Sequence, residues 1–236
     1  MKKINPTCKF IGILIPTVLL LFFYAPVLNL TVFIVSTAVT AVSARSRKVL
    51  FAALVPVILS AVALFFTGIH FPSGSHLALS YKLFANSAVL NGLQLSSRVL
   101  AFAGLGLLFA LTTDRIEMIR SARQQLRVPV KFAYGLLAAW GIMPNMMSEY
   151  AKARAAFRAR GLSPAPWSPA LLKPLLVKTV RWSESLAAAM ESKGFGGGKR
   201  TEYYVMKITP FDILFPFITT ALFLLALWLD TIIQLL

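Results

Sequence analysis

The apolar positions of this chain come in long unbroken runs, not in the alternation of a soluble protein. No charged side chain occurs from residue 10 to residue 43. One helix over that whole stretch would run about 50 Å, against a bilayer hydrocarbon core about 30 Å thick. The run therefore predicts two helices. Tyr24-Ala25-Pro26 is the natural break, because a proline disfavours helix at the residue before it. The halves are short, so two full crossings and a hairpin that spans incompletely are both compatible with the pattern. Arg45, Arg47 and Lys48 then form a basic stop, and residues 49–69 predict a third apolar helix. A loop from His70 to Ala85 precedes a fourth helix over 86–111, which carries Arg98 in its interior. Phe211 to Leu236 is apolar again, with Asp212 and Asp230 near its ends, and predicts a fifth span.

Between these runs the pattern changes. Residues 112–210 hold 16 of the 24 basic residues and 6 of the 8 acidic ones, and their punctuation predicts three helices. Asp114 can cap the first, with Glu117 three residues later as in a capping box. Pro129 opens the second, which passes through Pro144, where a kink is expected, to Arg160 and ends at Gly161. Ser168-Pro169 starts the third, which runs to Lys193 and ends at Gly194. Gly196-Gly197-Gly198 links back toward the last apolar run. Phe132, Leu136, Leu137, Trp140, Met143, Met146 and Met147 make the second helix too apolar for a solvated bundle, which suits a bilayer surface or a protein partner.

The expected fold is an all-α membrane protein of about five transmembrane helices plus about three cytoplasmic amphipathic helices. Its parts are a membrane domain over 1–111, a cytoplasmic helical domain over 112–210 and a C-terminal span over 211–236. Composition agrees. The chain has 236 residues, is 58% hydrophobic and only 14% charged, with a net charge of +16; soluble domains are about a quarter charged. An ordinary soluble enzyme and a disordered basic tail are both excluded. The charge distribution sets an orientation. Lys2, Lys3 and Lys9 hold the N-terminus in the cytoplasm, every basic cluster then falls on the same side, and the C-terminus ends outside. No cleavable signal is evident, because the second apolar run follows the first without a cleavage site.

Candidate chemistry is sparse. Cys8 is the single cysteine, which excludes a disulfide framework and a cysteine-based zinc site. His70 and His76 lie six apart with no nearby acid or thiol, so no metal site is expected. Gly194-Phe-Gly-Gly-Gly-Lys-Arg-Thr201 falls one residue short of a phosphate-binding loop and follows a helix instead of a strand, so ATP binding by this chain is not expected. The basic residues adjoin membrane helices and no nucleic-acid motif is present, so topology and anionic lipid account for them better than nucleic acid does. Arg98 is expected to act as an interhelical pin in preference to a transport role, with backbone carbonyls, snorkelling, Asp212 or Asp230 as the candidate ways to satisfy its charge. No catalytic residues are assigned. The acids Asp114, Glu117, Glu149, Glu184, Glu191 and Glu202 are scattered, which weakens the rival reading of a membrane-embedded enzyme; a scaffold with a basic cytoplasmic interfacial domain stays as an alternative.

One feature repeats. The second cytoplasmic helix ends Ala159-Arg160-Gly161 and the third ends Ser192-Lys193-Gly194. A cation at a helix end complements the dipole and glycine supplies the cap, so one instance would be unremarked. Two instances in one layer suggest paired pegs for two equivalent sites on a dimeric partner.

The chain resembles the transmembrane T component of energy-coupling factor (ECF) transporters, the family that includes the cobalt-transport membrane protein. The resemblance is carried by Asn5-Pro6-x-x-Lys9, Thr112-Thr113, Arg120, Leu126-x-x-Pro129, Pro144, Glu149, Ala159-Arg160-Gly161 and Met190-Glu191-Ser192-Lys193-Gly194-Phe195-Gly196. In that family both signatures are usually Ala-Arg-Gly, and here the second departs from it. The resemblance implies a non-catalytic subunit without a bound cofactor, in the cytoplasmic membrane of a prokaryote. It implies two ABC-type ATPase subunits, a heterodimer or homodimer, that bind ATP and receive the two signatures in surface grooves. It also implies a small membrane S component that binds a vitamin or metal ion and meets an apolar surface such as Trp140, Met143 and Met147.

Overall fold

A computed structural model describes residues 4–23, 25–43, 47–71, 87–166, 168–195 and 203–235. Helices dominate, in the order α1 (Pro6–Phe22), α2 (Pro26–Ser43), α3 (Arg47–His70), α4 (Ser87–Thr112), α5 (Arg115–Gln125), α6 (Val130–Ala159), α7 (Pro169–Ser192) and α8 (Pro210–Leu235). They fall into two compact units, residues 1–127 with 206–236 and residues 128–205. The chain is an all-α membrane protein. Helices α2, α3, α4 and α8 carry apolar spans of 18, 23, 25 and 23 residues, each long enough to cross or nearly cross a bilayer. The break at Tyr24–Pro26 separates α1 from α2 as its proline predicts. With 17 residues, α1 is about 25 Å long, short for a full crossing.

The first unit packs α1, α2, α4 and α8 around a core that includes Leu20, Leu28, Ala101, Leu105, Leu108, Phe215 and Phe223. Its outer faces are apolar too. Phe51, Val55, Leu59, Val62 and Phe66 form an exposed stripe along α3, as expected where the solvent is lipid. The helices approach closely where side chains are small. A Cβ on Gly68 of α3 would stand 2.5 Å from the Gly92 Cα of α4, so only glycine fits. Beside that contact the Asn91 side chain donates to the Gly68 carbonyl at 3.0 Å.

Backbone groups freed inside the apolar layer find partners. Pro16 lies within α1 and cannot donate to the Gly12 carbonyl four residues back. The Thr219 hydroxyl of α8 donates to that carbonyl at 2.8 Å. Proline therefore creates an acceptor that fixes one helix against another.

Although α5 follows the four N-terminal apolar helices in sequence, it belongs to the same unit and packs on α1. Its N-cap is Asp114, whose carboxylate accepts from the Ile116 and Glu117 amides at 2.8 and 3.4 Å. Helix α6 is continuous through Pro144, and α7 starts at the Ser168 cap, whose hydroxyl accepts from the Ala170 amide.

Candidate functional site

The two signatures end α6 and α7 with the same backbone geometry. Gly161 and Gly194 have φ of +73° and +72°, in the left-handed region that favours glycine. At the first end the Leu162 amide donates to the Phe157 carbonyl at 3.0 Å and the Gly161 amide to the Arg158 carbonyl at 2.9 Å. At the second the Phe195 amide donates to the Met190 carbonyl at 2.9 Å and the Gly194 amide to the Glu191 carbonyl at 2.8 Å. Each is a Schellman motif, and in each the cation occupies the cap position. Arg160 has φ −89° and ψ 10°; Lys193 has φ −88° and ψ 10°. Apolar pairs, Phe157 with Leu162 and Met190 with Phe195, occupy the positions that accompany this motif. Ala159, Arg160, Gly161, Ser192, Lys193 and Gly194 are all exposed. The chain thus presents two cations from two matching helix ends.

Helices α6 and α7 form an antiparallel pair joined through residues 160–168. Three contacts are spread along it: Tyr134 edge-on to Phe195 with centroids 5.2 Å apart, the Thr179 hydroxyl to the Met146 sulfur at 3.4 Å, and the Tyr150 hydroxyl to the Pro166 carbonyl at 2.9 Å. Clefts open on either side of the middle contact. Ile142 and Met146 turn toward α7, whereas Met143 and Met147 are exposed and Trp140 is half-buried. Trp140, Met143 and Met147 follow Phe132 and Leu136 on one apolar stripe of α6.

Glu149 bridges the pair. It accepts from Lys178 of α7 and from Lys152 one turn along α6. The Lys178 hydrogen bond, then that of Lys152, holds its carboxyl below the usual range. A carboxylate with a depressed pKa stabilises the fold above its unfolded pKa and loses that contribution as pH falls through the folded value. A carbon-NMR titration should therefore place the Glu149 midpoint below 4.5, the ordinary value, and Lys178→Ala should move it upward. An unchanged midpoint in the variant would show that the bridge does not form in solution.

Arg98 lies in the middle of α4. Its guanidinium donates to the Leu21 carbonyl at 3.0 Å and stands 5.8 Å from the Phe102 ring. Leu21 is in the last turn of α1, where carbonyls lack intrahelical partners, so Arg98 satisfies a helix end within the apolar layer. Asp212 is engaged elsewhere. It accepts from the Asn5 amide at 2.8 Å and the Thr209 amide at 2.7 Å. Around Asn5 is a buried network that sequence reasoning missed. The Asn5 side chain caps α1 by accepting from the Thr7 amide, and also accepts from the Ser121 hydroxyl of α5 at 2.7 Å. The Thr7 and Ser121 hydroxyls are 2.6 Å apart, and the buried Lys9 ammonium donates to the Thr112 carbonyl at the end of α4. The signal in sequence was a cluster of polar residues, Asn5, Thr7 and Lys9, opening an apolar helix.

Among the described residues no group of three or more His, Cys, Asp or Glu could hold a metal ion. His70 Nδ1 is bonded to the Phe66 carbonyl at 2.8 Å. His76, most of the phosphate-loop-like segment and the basic residues Lys2, Lys3 and Arg45 lie outside the described residues.

Comparison with known proteins agrees with this architecture. A transmembrane protein EcfT of the energy-coupling factor transporter in Listeria innocua is 30% identical over 133 residues, half of each chain. The protein of the same description in Lacticaseibacillus paracasei is 29% identical over 135 residues, 50% of this chain and 51% of that one. The one in Staphylococcus aureus is 22% identical over 222 residues, 86% of this chain and 83% of that one. The first two matches thus span about half the length of those relatives. The profile of CbiQ, the cobalt transport protein family, matches residues 1–204, well over half of the chain, and the chain belongs to that family.

Proposed function

We propose that the chain is the T component of an ECF-type importer, coupling ATP hydrolysis on two partner ATPases to uptake of a vitamin or metal ion through an S component. The observation that carries this reading is the matched pair of Schellman ends with Arg160 and Lys193 at equivalent cap positions. An ABC-type ATPase dimer offers two equivalent grooves, and two geometrically equivalent cations suit them. ATP is bound by the partners, and this chain contributes no catalytic group or cofactor. When the ATPases close, Arg160 and Lys193 are drawn together or apart. The α6–α7 pair, tied at Glu149, carries that movement to the S component. The stripe with the half-buried Trp140 and the exposed Met143 and Met147 is its contact surface. Methionine is unbranched and polarizable, which suits a surface that slides or meets more than one partner.

In this reading the chain sits in the cytoplasmic membrane of a prokaryote, N-terminus inside and C-terminus outside. The test is recovery of the tagged chain from its native membrane in mild detergent, with the bound proteins identified by mass spectrometry. Two Walker-motif ATPases, or one as a homodimer, together with a small hydrophobic protein are expected. A chain recovered alone even after crosslinking would overturn the proposal.

A further inference from the structure

The α6–α7 unit contains a second basic feature, which adjoins one of the paired helix ends. On the side of the middle contact toward Arg160, a cleft of about 640 Å³ is lined by Lys152, Lys173, Lys178 and Arg181, with Arg160 at one end and apolar side chains such as Phe157 and Val177 between them. Glu149 is the one acid among its described lining residues, and it is already bonded to Lys178 and Lys152. Lys173 and Arg181 lie two turns apart on the same face of α7 and are exposed. The cleft therefore carries a surplus of positive charge over an apolar floor.

Helix α7 shows what meets such a surface. Leu172, Leu176 and Val180 recur every four residues and are all exposed. Lys173, Val177 and Arg181 recur every four residues on the adjoining stripe. An apolar stripe beside a basic one is the pattern of a helix lying at a membrane interface, with its cations at the head groups. The chemistry of the cations is also that of phosphate recognition: lysines as point charges, and an arginine fork for paired oxygens. The volume lies within the range of small-ligand sites, roughly 300–1,000 Å³, enough for a lipid head group.

We infer that this cleft binds the phosphodiester of an anionic phospholipid from the cytoplasmic leaflet, held by Lys173 and Arg181, with the lipid chains lying along Leu172, Leu176 and Val180. The inference does not require the coupling role, and its test leaves Arg160 and Lys193 intact.

The full chain, purified in mild detergent, is titrated with phosphatidylglycerol and with phosphatidylcholine and read by native mass spectrometry. Phosphatidylglycerol is expected to remain bound at lipid levels where phosphatidylcholine is lost. The double variant Lys173→Gln with Arg181→Gln should bind phosphatidylglycerol about thirtyfold more weakly, at about one basic-residue contribution each. Phosphatidylcholine binding should not change. Lys173→Arg with Arg181→Lys should keep the preference, which separates lost charge from a damaged fold. Equal retention of the two lipids, or a double variant that matches the parent, would overturn the inference. Displacement by inorganic phosphate at the same affinity would overturn it in favour of a small-anion site. Unchanged lipid binding with loss of a copurifying protein would assign the cleft to a protein contact instead.

Discussion

Replacing Arg160 and Lys193 together by alanine is expected to abolish uptake and ATPase recovery while the chain still reaches the membrane at normal levels. The separation follows from where each interaction acts. Within the chain, the two caps are built from backbone hydrogen bonds and from Gly161 and Gly194, which the substitutions leave in place. What the fold loses is a cation near each helix dipole, about 0.3–1 kcal/mol apiece. At a buried charged contact between proteins, truncating one side costs about 2–5 kcal/mol. Two such losses weaken docking by about a thousandfold or more, so docking fails long before folding does. The singles should not be equal. Arg160 presents a planar fork that can hold a carboxylate with two hydrogen bonds, and Lys193 presents a point charge. Arg160→Ala should be the more severe, and Lys193→Arg should tighten the complex. Gly161→Ala provides an independent check: a side chain at φ +73° costs about 1–2 kcal/mol and frays the cap, displacing Arg160 without removing it. Normal uptake and normal ATPase recovery in the double variant would end the peg interpretation.

What the sequence disclosed, and what it hid, divides by range. The apolar spans were legible because a bilayer imposes run length directly, and Pro26 marks the α1–α2 break by a steric effect on its own neighbour. The ends of α6 and α7 were legible for the same reason: Gly161 and Gly194 supply a backbone conformation, and the cap closes within six residues. The role of Asn5 was not legible, because its partners Ser121 and Asp212 lie 116 and 207 positions away. The placement of α5 depended on those contacts. Its sequence shows a good N-cap and many charges, which look alike on a membrane unit and on a separate layer. Arg98 was expected to find a partner, since an intramembrane cation needs one, and it donates to the Leu21 backbone carbonyl, an acceptor that no side-chain pattern reveals. The cleft cations were missed because Lys152 and Lys173 become neighbours only when two helices fold against each other.

Asp212→Ala is expected to cost the membrane unit about 3–5 kcal/mol. Asp212 is in the first turn of α8, is 3% exposed, and accepts two backbone amides that have no helical partner of their own. One oxygen takes the Thr209 amide, closing the entry of α8 as a capping box does. The other takes the Asn5 amide and so fixes the residue that caps α1. A hydrogen bond to a charged group contributes about 1.5–3 kcal/mol, and a buried donor left alone loses its solvation as well. Asp212→Asn distinguishes charge from connection. Its amide has one acceptor oxygen and turns an N–H group toward the second donor, so it keeps one bond at most and should recover less than half of the loss. Thermal unfolding in detergent, compared with Glu184→Ala on the exposed face of α7, measures both. An Asp212→Ala unfolding temperature equal to that of Glu184→Ala would show that the network carries no stability. The expected fall should come with lower uptake. Met206, where the chain returns to this unit, is held by its amide to the Gln124 side chain of α5 at 2.7 Å, and α5 is held in turn through Ser121 to Asn5. Asp212 is the residue on which both helix entries of this network close, α8 through Thr209 and α1 through Asn5.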